Sequence, residues 1–265
     1  MKKFFALLMA AVMLFCFAGC ANDETAEQIL VAEKESAGEE VATTDADFAV
    51  YTYTAVDTQA KALMEVSAGT ADAAIVDYVM SIGSIGEGTD YEDLAIEGDG
   101  YSEEEYGIAF RKGSDITAKI NQIIRELKAE GTLSEIAEKY SLEDILLGEE
   151  ETEEFAQAEE DSDYQYVMDK GTLVIGITYF APMNYENENG ELVGFETDFA
   201  KAVCEKLGVE AVFQEISWSA KETELAAKNI DCIWNGMTIT EEREENMSIS
   251  IPYMQNKQVK VVKSK

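Results

Sequence analysis

Histidine is missing from all 265 residues. That removes imidazole acid/base chemistry, histidine-based nucleophile triads and the usual zinc ligand sets, so no metal site and no cofactor is expected. Basic residues are scarce: 20 Lys and Arg stand against 54 Asp and Glu, for a formal net charge of -34. A chain this acidic is repelled by phosphate backbones and anionic lipid surfaces, so nucleic acid is not an expected partner. Cysteine is rare too, with four in the chain. Cys16 and Cys20 fall in or at the end of an N-terminal leader, and Cys204 and Cys232 lie in apolar contexts as packed thiols, which leaves no disulfide framework. The long apolar run at residues 4–18 follows Lys2 and Lys3 and ends at Gly19-Cys20, the pattern of a secretory signal rather than a membrane span. Hydrophobic residues still make up 46% of the chain, enough for packed cores in one large or two modest domains.

Beyond a polar tether at residues 21–27, short apolar runs alternate with helical spacing. Residues 29–32 read as a buried strand, and Ser36-Ala37-Gly38 as the small-residue start of a helix. Residues 50–56 alternate like a strand, and 58–67 carry Ala62, Leu63 and Val66 on one helical face before Gly69. Residues 73–76 form another buried strand that delivers Asp77 at its carboxyl end. Strand, helix, strand in this order implies a parallel α/β layer, in which ligands meet the carboxyl ends of strands. Residues 115–129 and 133–140 predict two amphipathic helices separated by Gly131. Residues 148–163 hold too little apolar surface to fold and read as a solvated acidic linker. After it come a strand at 173–177, a turn at Asn189-Gly190 and a helix at 195–207 closed by Gly208.

The stretch DCIWNGMTITEEREENMSISIPY, residues 231–253, organises the rest. Its apolar run at 232–234 predicts a strand ending at Asn235-Gly236. Thr238 and Thr240 then precede Glu241 and Glu242, a helix start whose unpaired N–H groups attract an anion. Arg243 sits just inside, where a guanidinium can take a carboxylate with two parallel hydrogen bonds.

GMTITEER followed by SISIPY resembles the carboxylate-binding segment of the polar-amino-acid-binding proteins that serve ABC importers. By that resemblance Gly236, Thr238 and Arg243 hold the α-carboxylate of a ligand. DTQAKALMEVSAGTADAAIVD resembles the second lobe of the same proteins, which implies that Asp77 takes the ligand ammonium and that Gln59 is a polar neighbour. Ser36 matches a second carboxylate contact, with Glu35 where the family has Gly. Phe180 in TYFAPMNY and Trp218 in EISWSAKETELAAKNID match the two aromatics that clamp the ligand, and two such rings can hold its aliphatic part. Tyr179, Asn184 and Tyr185 are candidates for tuning side-chain preference, and Tyr253 for packing. FAGC at residues 17–20 resembles a lipobox, which implies lipidation of Cys20 and a membrane-anchored, extracytoplasmic protein.

The resemblance implies a two-lobed α/β fold of the type II periplasmic-binding-protein kind, with the family's first half placed after its second. The expected organisation is a signal at 1–20, a tether at 21–27, lobe 2 at 28–105 and a hinge strand at 106–112. Closing helices of lobe 1 follow at 113–147, then the linker at 148–163, the main part of lobe 1 at 164–256 and a second hinge strand at 257–265. This is the organisation of a circular permutant. The implied function is capture of an amino acid by a monomer and its delivery to a permease, without catalysis. Three alternatives stay open: a sensory or orphan binding module, a binder that has lost its ligand, and a hydrolase using Asp45/Asp47 or Asp161/Asp163, pairs that read as surface charge.

Overall fold

Strand β1 (Gln28–Glu33) becomes more buried along its length, as its run of Ile29, Leu30, Val31 and Ala32 requires. Residues 27–147 and 154–264 are described by this computed structural model; Cys20, the leader and residues 21–26 of the tether lie outside the described residues. β1 pairs in parallel with β2 (Tyr51–Val56) on one side and β3 (Ala73–Asp77) on the other. The crossovers are α1 (Ala37–Thr44) and α2 (Gln59–Ala68). Both start where side-chain oxygens meet free amides: Ser36 accepts from Glu39 N–H and Thr58 from Lys61 N–H, each at 3.1 Å. Gly69 ends α2 at φ 74°, a left-handed conformation that costs glycine nothing. α3 (Tyr78–Ser84) follows directly on β3.

β4 (Leu94–Arg111) is far longer than the hinge strand expected at 106–112. The acidic, glycine-containing stretch at 97–105 looks like a loop in sequence. It is held as strand because β11 (Met254–Lys263) hydrogen-bonds to it antiparallel from Met254 beside Tyr106 to Lys263 beside Leu94, with register shifts around Lys257 and Gln258.

The second half packs around α4 (Ile116–Ala129), α5 (Thr132–Lys139) and α7 (Phe195–Leu207), whose bounds follow the sequence closely. α6 (Asp163–Lys170) leads into β5 (Thr172–Ile177). The small hairpin of β6 (Tyr185–Glu186) and β7 (Leu192–Val193) precedes α7, and β8 (Glu210–Glu215) then pairs in parallel with β5. α8 (Lys221–Ala226), β9 (Cys232–Thr238), α9 (Glu241–Asn246) and β10 (Met247–Ile249) complete it. Phe195, Phe199, Trp234 and Tyr253 pack ring to ring here, and burying each phenylalanine contributes about 2–3 kcal/mol. Cys204 and Cys232 are buried free thiols.

The result is a two-lobed α/β molecule with one continuous mixed sheet, in the order β2-β1-β3-β11-β4-β9-β5-β8. One lobe is built on β1, β2 and β3, the other on β5, β8 and β9. β11 and β4 run side by side between them.

Two expectations need correction. β9 does not stop at Asn235-Gly236 but continues to Thr238. Gly236 takes φ +55° within the strand, and the β4–β9 ladder shifts register between Gly107 and Ala109 to absorb the kink. The 148–163 stretch is also not solvated at its end. Asp115 accepts from Ala158 N–H, Ser162 Oγ and Tyr164 N–H, and Asp163 is buried against the Arg111 guanidinium at 3.0 Å. Asp163 is therefore half of a structural ion pair, not surface charge. The signal was the cap: Ser162 accepts from Gln165 N–H and starts α6.

Candidate functional site

The two lobes meet over a narrow cavity lined from both sides. Its lining includes the eight residues that the resemblance assigns to ligand contact, Ser36, Gln59, Asp77, Phe180, Trp218, Gly236, Thr238 and Arg243, and one of the three tuning candidates, Tyr179. Glu33, Ala37, Thr178 and Asn235 complete it. Asn184 and Tyr185 do not line it. The Asn184 amide instead donates to buried Glu196, and Tyr185 lies in the hairpin.

Arg243 comes from the first turn of α9, where Thr240 Oγ accepts the Arg243 N–H at 3.2 Å. Its guanidinium donates to the Thr238 carbonyl at 2.7 Å and reaches across to the Glu35 carbonyl at 3.5 Å. Glu35 takes φ 59°. That left-handed turn presents its carbonyl to the other lobe, while its side chain lies half in solvent near Lys34. The acid standing where the family has glycine therefore does not point at Arg243.

The backbone of Gly236 is committed elsewhere, since its N–H donates to Glu196 at 2.8 Å. A Cβ there would stand 2.6 Å from the Phe180 ring. What Gly236 supplies is close approach: it lets Phe180 pack against β9 and form the cavity wall. Trp218 forms another part of the wall, with the Lys221 ammonium 4.8 Å from its ring centroid. Lys221 also donates to the Glu35 carbonyl at 3.3 Å. Burial, then the Arg243 charge, lowers its pKa to about 8. The Asn235 side-chain amide in β9 accepts from Thr178 N–H and donates to the Thr178 carbonyl, which ties β9 to the chain just after β5.

On the facing wall Asp77 ends β3 and is almost wholly surrounded by amides. Gln59, Gln258 and Asn256 all donate to its carboxylate, the last at 2.8 Å. The same Asn256 and Gln258 amides donate to Glu104, at 2.9 and 3.0 Å, and Thr238 Oγ does so at 3.1 Å. Burial, then the Asp77 charge, raises the Glu104 pKa to about 7. Burial also raises Asp77. Ser36 Oγ donates to the Glu33 carbonyl at 2.7 Å besides capping α1, so the hydroxyl is already engaged at the rim of the cavity.

Sequence reasoning missed Glu33, Glu104, Asn256, Gln258 and Lys221. For the first the signal existed: an acid directly after a buried parallel strand, the same pattern that singled out Asp77. Asn256 and Gln258 were visible as alternating polar positions in the first half of β11, where burial follows a period of two up to the irregularity at Gln258. Chemically, the cavity offers a guanidinium on one wall and carboxyl groups on the other, with aromatic faces between them.

Residues 173–265 match a known family, the bacterial extracellular solute-binding proteins, family 3. The L-cystine-binding protein of Escherichia coli (strain K12) is 35% identical over 88 residues, which is 33% of this chain and 33% of that protein. The octopine-binding periplasmic protein of Rhizobium meliloti is 39% identical over 74 residues, 28% of this chain and 25% of its own. A solved structure described as bound to L-arginine shares 39% identity over 33% of this chain and 36% of that chain, with a TM-score of 0.32. The match thus spans about a third of the length of the first relative and a quarter of the second.

Proposed function

We propose that this chain, which over residues 173–265 is a relative of the amino-acid-binding members of the bacterial extracellular solute-binding proteins of family 3, captures an amino acid between its two lobes and passes it to an ABC importer. The observation that carries the reading is that Arg243 and Asp77, from opposite lobes, line one cavity. A zwitterion presents opposite charges a short distance apart. It satisfies both residues only when the lobes are closed, so it shifts the hinge equilibrium by its difference in affinity for the two states. Phe180 and Trp218 then enclose its aliphatic part. No bond is made or broken, and the matched relatives are themselves named as binding proteins.

The rest of the expected organisation belongs to the same proposal. Lobe 2 spans 28–105 and lobe 1 takes 113–147 together with 164–256. Residues 106–112 and 257–265 are the two crossings, and 148–163 join the family's original ends. The family match falls at the end of this chain, and β11 runs beside β4 as the second crossing of an uncut binder would. Both support the reading of a circular permutation. Lipid at Cys20 would hold a monomer outside the cell membrane, near its permease.

Calorimetry against the common amino acids tests the reading, on this chain and on one re-ordered by joining residue 264 to residue 28 and opening 148–153. Both should bind the same amino acid at micromolar affinity or tighter, and Arg243→Ala should weaken it about 100-fold, the cost of removing one buried charged partner. Unchanged affinity in Arg243→Ala and Asp77→Ala contradicts the site. Different ligands for the two chain orders contradict the permutation.

A further inference from the structure

Glu33 ends β1 as Asp77 ends β3, and its side chain lines the same cavity while only 4% exposed. The two carboxyls differ in what holds them. Asp77 has three amide donors, whereas Glu33 Oε1 is buried without a hydrogen-bond partner. The nearby cations are engaged elsewhere: Lys221 donates to the Glu35 carbonyl and lies over Trp218, and Arg243 donates to the Thr238 and Glu35 carbonyls. A buried polar atom left unpaired costs on the order of 1–3 kcal/mol, more when charged, so an unfilled acceptor at this point favours a donor brought in from outside.

The charge balance of the lining says what that donor is. Among the cavity residues, Glu33 and Asp77 stand against Arg243. A zwitterionic backbone complements Asp77 and Arg243, which leaves one acid over. We propose that Glu33 holds a cationic group on the ligand side chain, so that the captured substrates are amino acids ending in an ammonium or guanidinium. The inference rests on the amino-acid capture reading above.

Burial, followed by the Asp77 charge, raises the Glu33 pKa to about 8, while Lys221 acts the other way. The charged groups that act on it or share its cavity are Asp77 on β3, Lys221 on α8 and Arg243 on α9. Burial and the Asp77 charge thus disfavour the ionised form of Glu33, and a ligand cation stabilises it.

The experiment is calorimetry of the full chain with arginine and with citrulline, which replaces the guanidinium by a neutral group of the same shape. Arginine should bind at least about 10-fold more tightly, the worth of a charge-assisted hydrogen bond. In Glu33→Gln the preference should fall below about threefold while citrulline affinity is retained, which also reports an intact cavity; Glu33→Met gives a second reading without an amide. Equal binding of the two ligands by the unmodified chain, tighter binding of neutral or acidic amino acids, or a preference that survives in either variant overturns the assignment of Glu33 while leaving amino-acid capture standing. Absence of binding to every amino acid overturns the capture reading, and this one with it.

Discussion

The two walls of the cavity solve different problems. The wall of β5, β9 and α9 has most of its polar groups engaged within the protein: Asn235 holds the Thr178 backbone, Gly236 N–H is on Glu196, and Arg243 is anchored to the Thr238 carbonyl, while the Trp218 indole N–H beside them has no partner. The wall of β1 and β3 is acidic, with Asp77 held by three amides and Glu33 Oε1 by none. The difference teaches that preorganisation and specificity need not sit on the same lobe. A rigid wall fixes where the common part of a ligand lies, and an incomplete wall selects among ligands by what they bring.

The comparison can be broken on its rigid side first. Gly236→Ala puts a Cβ 2.6 Å from the Phe180 ring at a residue with φ +55°. It should destabilise the chain by about 3 kcal/mol, from strain and overpacking together. Denaturant titration checks this, and a change below about 0.5 kcal/mol would mean that the wall yields freely.

A smaller effect sharpens the comparison on the acidic side. Glu33 and Glu104 have folded-state pKa values of about 8 and about 7, both raised above the ordinary carboxyl value of 4.5. A raised pKa contributes stability that is full below pH 4.5 and is lost as pH rises through the folded values. The ligand-free chain should therefore melt at a temperature lower by about 5 °C at pH 8 than at pH 5. Its overall acidity acts in the same direction. The discriminating quantity is thus the difference from the Glu33→Gln/Glu104→Gln chain, measured by thermal melts at both pH values, in which the fall should be visibly smaller. An equal fall in both chains would assign it to net charge and to the buried Glu196, whose pKa is likewise raised to about 7.

How far the sequence carried the reading follows the same division. Arg243 and Asp77 drew notice as a cation inside a capped helix start and an acid at a strand end, but it was the family resemblance that singled out Thr238, Phe180 and Trp218 beside them, and all five line the cavity. Elements with strong apolar spacing were equally plain, as α7 at Phe195–Leu207 shows. Glu33 was hidden by abundance, since in a chain with 54 acids one more glutamate reads as surface charge. Glu104 lay in an acidic stretch, and only pairing with β11, 150 residues away in the chain, makes it a buried strand residue. Asp163 was misread for the same reason, because its partner Arg111 is remote in sequence.

The most direct test takes the ligand apart instead of the protein. The best-bound amino acid, its carboxamide and its des-amino analogue are titrated into the unmodified chain, Arg243→Ala and Asp77→Asn. The unmodified chain should reject both analogues, Arg243→Ala should lose its discrimination against the carboxamide only, and Asp77→Asn against the des-amino compound only. Discrimination against both analogues that survives unchanged in both variants would contradict a zwitterion shared between the two lobes.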